Sequence, residues 1–476
     1  MSLVRQCLCA GMISYLCMSM GATFTWPSST LQLFSSENTT LHRPMTGTEQ
    51  SLFGSLSSIG AVVATPVAGF LLDVIGRKYC AGLFSLMQVI AWVMIIASNR
   101  VEVLLTAMFI FGVGGAAFLV VPLYISEVCQ ESIRGAMTSG TIIFYGLGMT
   151  VSYALGGYVD YYPTVYAFLS ISVLGVVLLS FLEESPTFLM MKGREQETAK
   201  SIAFYRAAKV SSKVVQQELD TIRRILNAGN LDDTEIPLEE QKLRSGVEKK
   251  QAQKPSIIQL IKKSYPTRRA LLIMLGLTTA SVFQGLIVIQ VYAESLFSTA
   301  IPTMSATISS IIFSIITLAS GLVAGYLTEV AGRKPLMLYS SLVTGTCCVL
   351  LGSQIHVSWG PPAVTAVIIY IFCVAYWLGA GTIPFVLSAE VFLPEVIGIL
   401  SMLAIEWTWL CSFIILFIFP PLVAAIGLGP VFYIFAVVCF ATSVFTYFFL
   451  PETKGLPVDV IQTLFDKKRH RHFSHN

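Results

Sequence analysis

Twelve times along its 476 residues this chain turns apolar for long enough to cross a bilayer, which takes about 20 residues as a helix. The runs fall near 8–28, 51–72, 79–98, 101–124, 136–158, 163–182, 270–292, 304–327, 335–355, 362–389, 399–424 and 430–450. Six precede a polar insert and six follow it. In hydrocarbon each backbone N–H and C=O must be satisfied within its own segment, so runs of this length are helices. Only 12% of the residues are charged, against roughly a quarter in soluble proteins, which excludes a soluble globular chain. The expected fold class is an all-α membrane protein with twelve transmembrane helices.

A ten-residue stretch occurs twice. Gly69-Phe-Leu-Leu-Asp73-Val-Ile-Gly76-Arg77-Lys78 and Gly325-Tyr-Leu-Thr-Glu329-Val-Ala-Gly332-Arg333-Lys334 both read G-x-x-x-[acid]-x-x-G-R-K, 256 positions apart (325 − 69). Each closes an apolar run, with a glycine allowing a tight turn between the acid and the arginine. A copied element at half-chain spacing predicts two homologous halves. The expected organisation is a six-helix bundle over 1–182, a helical linker over 183–269, a second six-helix bundle over 270–450 and a tail over 451–476.

Lysine and arginine placement sets orientation. With the ends and the insert cytosolic, the external loops hold only Arg43 and Arg100, leaving 28 of the 30 basic residues inside (30 − 2). The net charge of +3 therefore belongs to membrane-flanking loops and is no sign of nucleic acid. The ten cysteines form no metal-like cluster, Cys347 and Cys348 are adjacent, and free thiols are expected. The first run lacks a small-residue cleavage site and reads as a retained span. Asn38-Thr-Thr40, in the first external loop, is a glycosylation sequon.

From Pro186 to Arg269 the insert holds 17 Lys+Arg against 10 Asp+Glu. Ser185-Pro186 reads as an N-cap and first turn. Residues 195–208 and 212–227 have helical spacing, with Val215, Leu219, Ile222 and Leu226 on one stripe. Residues 229–254 read as a linker, and Pro255-Ser256 as the start of a short amphipathic helix. Elsewhere, Glu127 and Arg134 share a face if their helix continues. Gln284 and Gln290, six apart, point to different faces of a regular helix. Gly379-Ala-Gly381-Thr-Ile-Pro384-Phe385 is a stretch able to bend.

The duplicated G-x-x-x-[DE]-x-x-G-R-K, the Pro122-x-Tyr124-x-x-Glu127…Arg134-Gly135 stretch and Pro451-Glu-Thr-Lys-Gly455 together resemble the sugar porter branch of the major facilitator superfamily. The resemblance covers nearly the whole chain. It implies two pseudo-symmetric six-helix bundles around a central site open alternately to each side. It also implies a cytosolic charge latch of Asp73, Arg77, Glu127, Arg134 and Glu184 in the first half, and Glu329, Arg333, Glu390 and Glu452 in the second. Where the family places amides and a tryptophan, this chain has Ile142, Ser281, Val282, Ile287, Thr317 and Phe385, and Thr408-Trp409 where the family has Asn-Trp. Amides suit hydroxylated solutes because each both donates and accepts hydrogen bonds. The remaining substrate-contact candidates are Gln284, Gln290, Tyr292, Thr317, Phe385, Glu406 and Trp409.

The first span has no acid, and the arginine position of the family's proton-coupled members reads Met108. The expected function is thus alternating-access transport of a small polyhydroxylated solute, a sugar such as glucose or trehalose or a related neutral compound, by facilitated diffusion at the plasma membrane. The alternatives are a proton-coupled symporter using Glu406 and a non-transporting sugar sensor. No nucleophile–base set, cofactor site or metal site is read from the chain, so it is not expected to be an enzyme. The partners expected are the solute and the bilayer; oligomeric state is left open. Glu406 itself, an acid inside a span, should face the bundle interior, where it closes a gate against Arg134 or another basic group, contacts substrate, or titrates.

Overall fold

The structure is a computed structural model that describes residues 2–231, 264–393 and 396–465. Eleven spans are long and apolar enough to cross a membrane: Ser2–Ser35, Gly47–Ile75, Arg77–Ala97, Val101–Val128, Tyr161–Ser180, Tyr265–Val291, Ala306–Ala331, Arg333–Val357, Pro362–Glu390, Ile397–Ile426 and Leu428–Phe449. The fifth in order, Gly140–Tyr158, is less apolar because glycine and tyrosine dilute it. It is nonetheless packed between spans 1 and 8 as a twelfth helix. Its glycines explain the packing. A Cβ on Gly148 would lie 2.0 Å from the Met18 carbonyl oxygen, and one on Gly21 would lie 2.0 Å from that of Tyr145, so the two backbones touch.

Sequence and structure part company where helices break. Span 1 runs through Pro27 to Ser35, well beyond the expected end. Span 7 stops at Phe283, turns at Gly285 (φ +97°), resumes over Leu286–Val291 and continues as a separate helix, Ala293–Ala300. Span 10 breaks at Gly379, five residues before Pro384, which lies in the first turn of its second segment, Ile383–Glu390. A side chain on Gly379 would collide with Ser340, so the break follows close helix approach as well as proline. Backbone left unpaired by such breaks is tolerated at membrane depth only where it is buried in protein or lines a cavity.

Spans 2 and 11, and spans 5 and 8, pack across the two halves. One end of the molecule carries both G-R-K turns and the insert and is the charged end; the far end holds fewer charges, among them Arg43, Glu49, Glu102 and Glu294. An apolar cluster centred on Trp26, Phe53 and Trp92 continues without interruption into the second half through Val288, Tyr292 and Phe297. The first half's charged end has a separate cluster around Ala68, Cys80 and Tyr124. At the far end hydrogen bonds also cross between halves: Tyr153 Oη donates to the Gln290 carbonyl (2.6 Å), Gln32 Nε2 to Ser298 Oγ (3.3 Å) and the Glu294 N–H to Ser28 Oγ (2.9 Å). No ion pair joins the halves at the charged end among the described residues. Polar contacts between the halves are thus concentrated at the far end, which they seal.

The insert caps the first half. Helices Pro186–Met191, Glu195–Arg206 and Lys213–Leu231 pack together, with Val215, Leu219, Ile222 and Leu226 meeting Met190, Ala199, Ile202 and Ala203 as the stripe predicts. Ser185 Oγ accepts the Phe188 N–H as the expected N-cap. Arg206 ties the cap down, pairing with Glu218 and donating to the Val128 carbonyl at 2.8 Å. The linker and short helix expected over 229–263 fall almost wholly outside the described residues, as does the basic tail after residue 465.

Candidate functional site

The two copies of the repeat build the same object twice. Gly76 (φ +99°, ψ 173°) and Gly332 (φ +91°, ψ 165°) sit in a backbone region that is essentially glycine-only. The turn sends Arg77 inward, where its guanidinium is buried against Glu127 (Nε to Oε2 2.9 Å, Nη2 to Oε1 2.9 Å) and donates to the Leu72 carbonyl at 3.0 Å. Arg333 repeats this with Glu390 (Nε to Oε2 3.1 Å) and the Thr328 carbonyl (3.0 Å). Buried arginine is tolerated here because its donors find acceptors.

Glu184 and Glu452, read from the resemblance as latch members, do a more local job. Glu184 Oε1 accepts the N–H groups of Arg77 (2.9 Å) and Lys78 (3.0 Å), and Glu452 accepts those of Arg333 (3.0 Å) and Lys334 (3.1 Å). They cap the first turns of spans 3 and 9, where the helix dipole favours a carboxylate. Burial opposes this by pushing the Glu184 carboxyl up, while the three backbone N–H groups around it pull down. The residue after each cap, Ser185 or Thr453, bonds the acid that holds the arginine. This second duplication, Glu-Ser beside Glu-Thr, is spaced 268 positions apart (452 − 184), twelve more than the first, so the spacing of the G-R-K repeat does not reveal it.

Other latch expectations are corrected. Asp73 is 71% exposed and stands 3.8 Å from Arg77, so the acid inside the motif is a peripheral partner, although Glu329 comes closer to Arg333 at 3.0 Å. Glu127 and Arg134 do not share a helix face: the chain turns extended at Cys129 and Gln130, where the Gln130 N–H donates to Gln6 Oε1 at 3.0 Å, before helix Glu131–Thr138 begins. Arg134 ends up exposed and in no ion pair among the described residues. The Glu406–Arg134 gate is accordingly not formed in this state.

A small cleft lies within the second half, apart from a larger cavity of about 240 Å³ at the far end that is lined from both halves and includes Gln50 and Tyr292. Thr278, Ser281, Val282, Pro384, Phe385, Ser388, Ala404, Ile405 and Thr408 line the small cleft, contributed by the broken spans 7 and 10 and by span 11. Phe385 is its most exposed wall, at 56%. Its hydroxyls are largely committed: Thr408 donates to the Ala404 carbonyl (2.8 Å), Ser388 to that of Phe385 (2.7 Å) and Ser281 to that of Ala380. No amide or charged side chain lines it.

Of the candidate contact residues only Phe385 lines this cleft. Gln284 is fully buried at the span 7 break, donating to Ser341 Oγ at 3.2 Å, with its Oε1 unpartnered. The turn at Gly285 directs it into the second half, which a regular-helix reading cannot foresee. Thr317 meets Cys373 Sγ at 3.1 Å, also within that half. Gln290 and Tyr292 belong to the far-end seal. Tyr292 stacks on Phe419 (5.4 Å), donates to the Leu416 carbonyl (2.9 Å) and presses on Gly54 of span 2. Glu406 shares a face with Met402 and Trp409, and Met402 turns that stripe toward Gly69 of span 2. Its Oε1 is enclosed without a partner among the described residues. Sequence reasoning missed Thr278 and Ser388, each one turn from a recognised position, Val282 and Pro384.

Comparison with known proteins bears on the family and the fold. A profile of the family described as "Sugar (and other) transporter" matches residues 4–465. The chain is 27% identical over 425 residues to the facilitated trehalose transporter Tret1 of Bombyx mori, covering 88% of this chain and 79% of that one. It is 26% identical over 451 residues to the human solute carrier family 2, facilitated glucose transporter member 6, covering 88% and 83%. Among solved structures, the xylose transporter XylE from E. coli in an inward-open conformation superposes with a TM-score of 0.74 at 18% identity, over 96% of this chain and 99% of that one.

Proposed function

The chain belongs to the sugar (and other) transporter family, and from that premise we propose that it is a facilitative carrier for a small polyhydroxylated solute with an apolar face, glucose and trehalose being the first candidates. The carrying observation is the cleft between spans 7, 10 and 11, which holds hydroxyls and apolar walls but no amide and no charge. A solute there meets acceptors and a phenyl face instead of paired amide donors, which favours sugars or polyols of modest hydroxyl count.

The positive-inside distribution supports placing both termini and the insert in the cytosol of a plasma-membrane protein, with Asn38 exposed on the external side as a glycosylation acceptor. In that orientation the hydrogen bonds between the halves lie on the external side, which supports reading this state as closed outside. The two bundles rock about the span 2–11 and span 5–8 contacts, and the Arg77 and Arg333 clusters travel as rigid corners of their own halves. Absence of an acid from the first span and Met108 in the fourth support movement down a gradient without protons. The reading is tested by uptake of labelled glucose, trehalose, xylose and polyols into reconstituted vesicles. Saturable uptake of at least one, unchanged when an ionophore collapses the proton gradient, is expected. No uptake of any, with correctly inserted protein, overturns it.

A further inference from the structure

The far-end seal contains one acid that nothing neutralises. Glu294 lies in Ala293–Ala300, a helix beyond the last residue of span 7, Val291. Its backbone N–H donates across the halves to Ser28 Oγ at 2.9 Å, and one turn on, Ser298 Oγ accepts from Gln32 at 3.3 Å. This helix edge is thus the contact with span 1. The Glu294 side chain is half-buried there and makes no ion pair among the described residues.

The elements packed on this helix are span 1, Leu286–Val291, span 8 and the first segment of span 10. None carries a charged residue in its far half. Their far-end titratable groups reduce to Tyr370, whose Oη donates to the Ser309 carbonyl at 3.3 Å, and to Cys373 deeper in. Tyr153 of span 5 donates to the Gln290 carbonyl at 2.6 Å. The external cation Arg43 is engaged with Glu49 (2.7 Å) and Glu102 (3.5 Å). A carboxylate closed into such a site loses water and gains no counter-charge, so its neutral form is favoured. Opening the seal separates span 1 from this helix and returns the carboxyl to water.

We infer that Glu294 is a proton-linked gate residue: it is neutral when the two halves are closed outside and ionises when they part, so that external acid holds the carrier shut to the outside. Proton uptake and release both occur on the external side, so the linkage regulates transport without coupling a proton to it.

The sign follows from burial, which pushes the Glu294 carboxyl up to about 7 in the closed state. A hydrated glutamate titrates near 4.3. Closure therefore takes up a proton, and its stabilisation is full at low pH and lost as pH rises through about 7. Between external pH 8 and 6 the outward-open population falls roughly tenfold.

The test uses Leu296→Cys, buried in the closed seal, and Thr299→Cys, exposed in it, each labelled from outside with an impermeant maleimide. Background is small because nine of the ten native cysteines are buried and the exposed one, Cys7, is at the charged end. The Leu296→Cys rate, divided by the Thr299→Cys rate to remove thiol ionisation, should fall roughly tenfold from external pH 8 to 6. It should ignore internal pH and become flat in Glu294→Gln, or in Glu294→Ser should the glutamine variant fail to reach the membrane. A flat ratio in the parent overturns the inference, and so does a slope that survives removal of the carboxyl. The readout needs no solute, so it stands or falls separately from the choice of sugar.

Discussion

Replacing Gly76 with alanine should unseat the helix cap beside it. At φ +99° and ψ 173° any side chain is strained by about 1–3 kcal/mol. The new Cβ would also stand 2.4 Å from Glu184 Oε2 and 2.8 Å from Phe188 Cε1. The glutamate must then retreat from the N–H groups of Arg77, Lys78 and Ser185, and losing a cap costs about 1 kcal/mol more. The sum is about 2–4 kcal/mol. For a folding unit the size of one half, each kcal/mol moves the midpoint by about 2–4 °C, so a fall of about 5–15 °C is expected in detergent, read by fluorescence-detected size exclusion after heating. Gly332→Ala should behave alike, with Glu452 Oε2 2.8 Å from the added carbon. Gly325→Ala is the control: it lies in the same repeat, inside a helix, with nothing within 4 Å, and should be neutral or stabilising by about 0.5–1 kcal/mol. A Gly76→Ala protein as heat-resistant as Gly325→Ala would refute the argument.

Asp73→Asn should change thermal stability by no more than about 0.5 kcal/mol, because the pair is loose and the acid exposed; Glu127→Ala, which strands a buried guanidinium, should cost about 3 kcal/mol or more by the same assay. Ile397→Arg adds a cation at the start of span 11, seven residues beyond Glu390 (397 − 390), where it strengthens closure of the charged end. It should raise external labelling at Leu296→Cys, and unchanged labelling would count against it. Glu406→Gln should alter transport rate while leaving uptake independent of the proton gradient, as in the parent. A steep dependence in the parent that vanishes in this variant would make the carrier proton-coupled.

The helical spans and the duplicated turns were legible because their causes are local. Apolar length dictates a membrane helix, and a glycine between an acid and an arginine dictates the corner at Gly76 and Gly332. Span 5 was legible too, although its glycines lower its hydropathy, since those same glycines let it lie against Met18 and Ala22. The cleft was less so. A single positive φ at Gly285 rotates Gln284 out of the pathway and starts the segment that carries Tyr292 into the seal. Helical periodicity contains no record of that turn. Likewise the resemblance places Glu184 in the latch, and only the returning start of span 3 makes it a cap. Arg134 shows the converse: its spacing from Glu127 implied a shared face until the chain turned at Cys129.

Alternating access requires the external seal to open in every cycle. Gln32 and Ser298 bond across it at 3.3 Å. The decisive measurement is equilibrium exchange of labelled glucose or trehalose by a Gln32→Cys, Ser298→Cys protein before and after cross-linking the pair. Exchange that stops on cross-linking and returns on reduction is the predicted result. Undiminished exchange through a covalently closed seal would contradict the account.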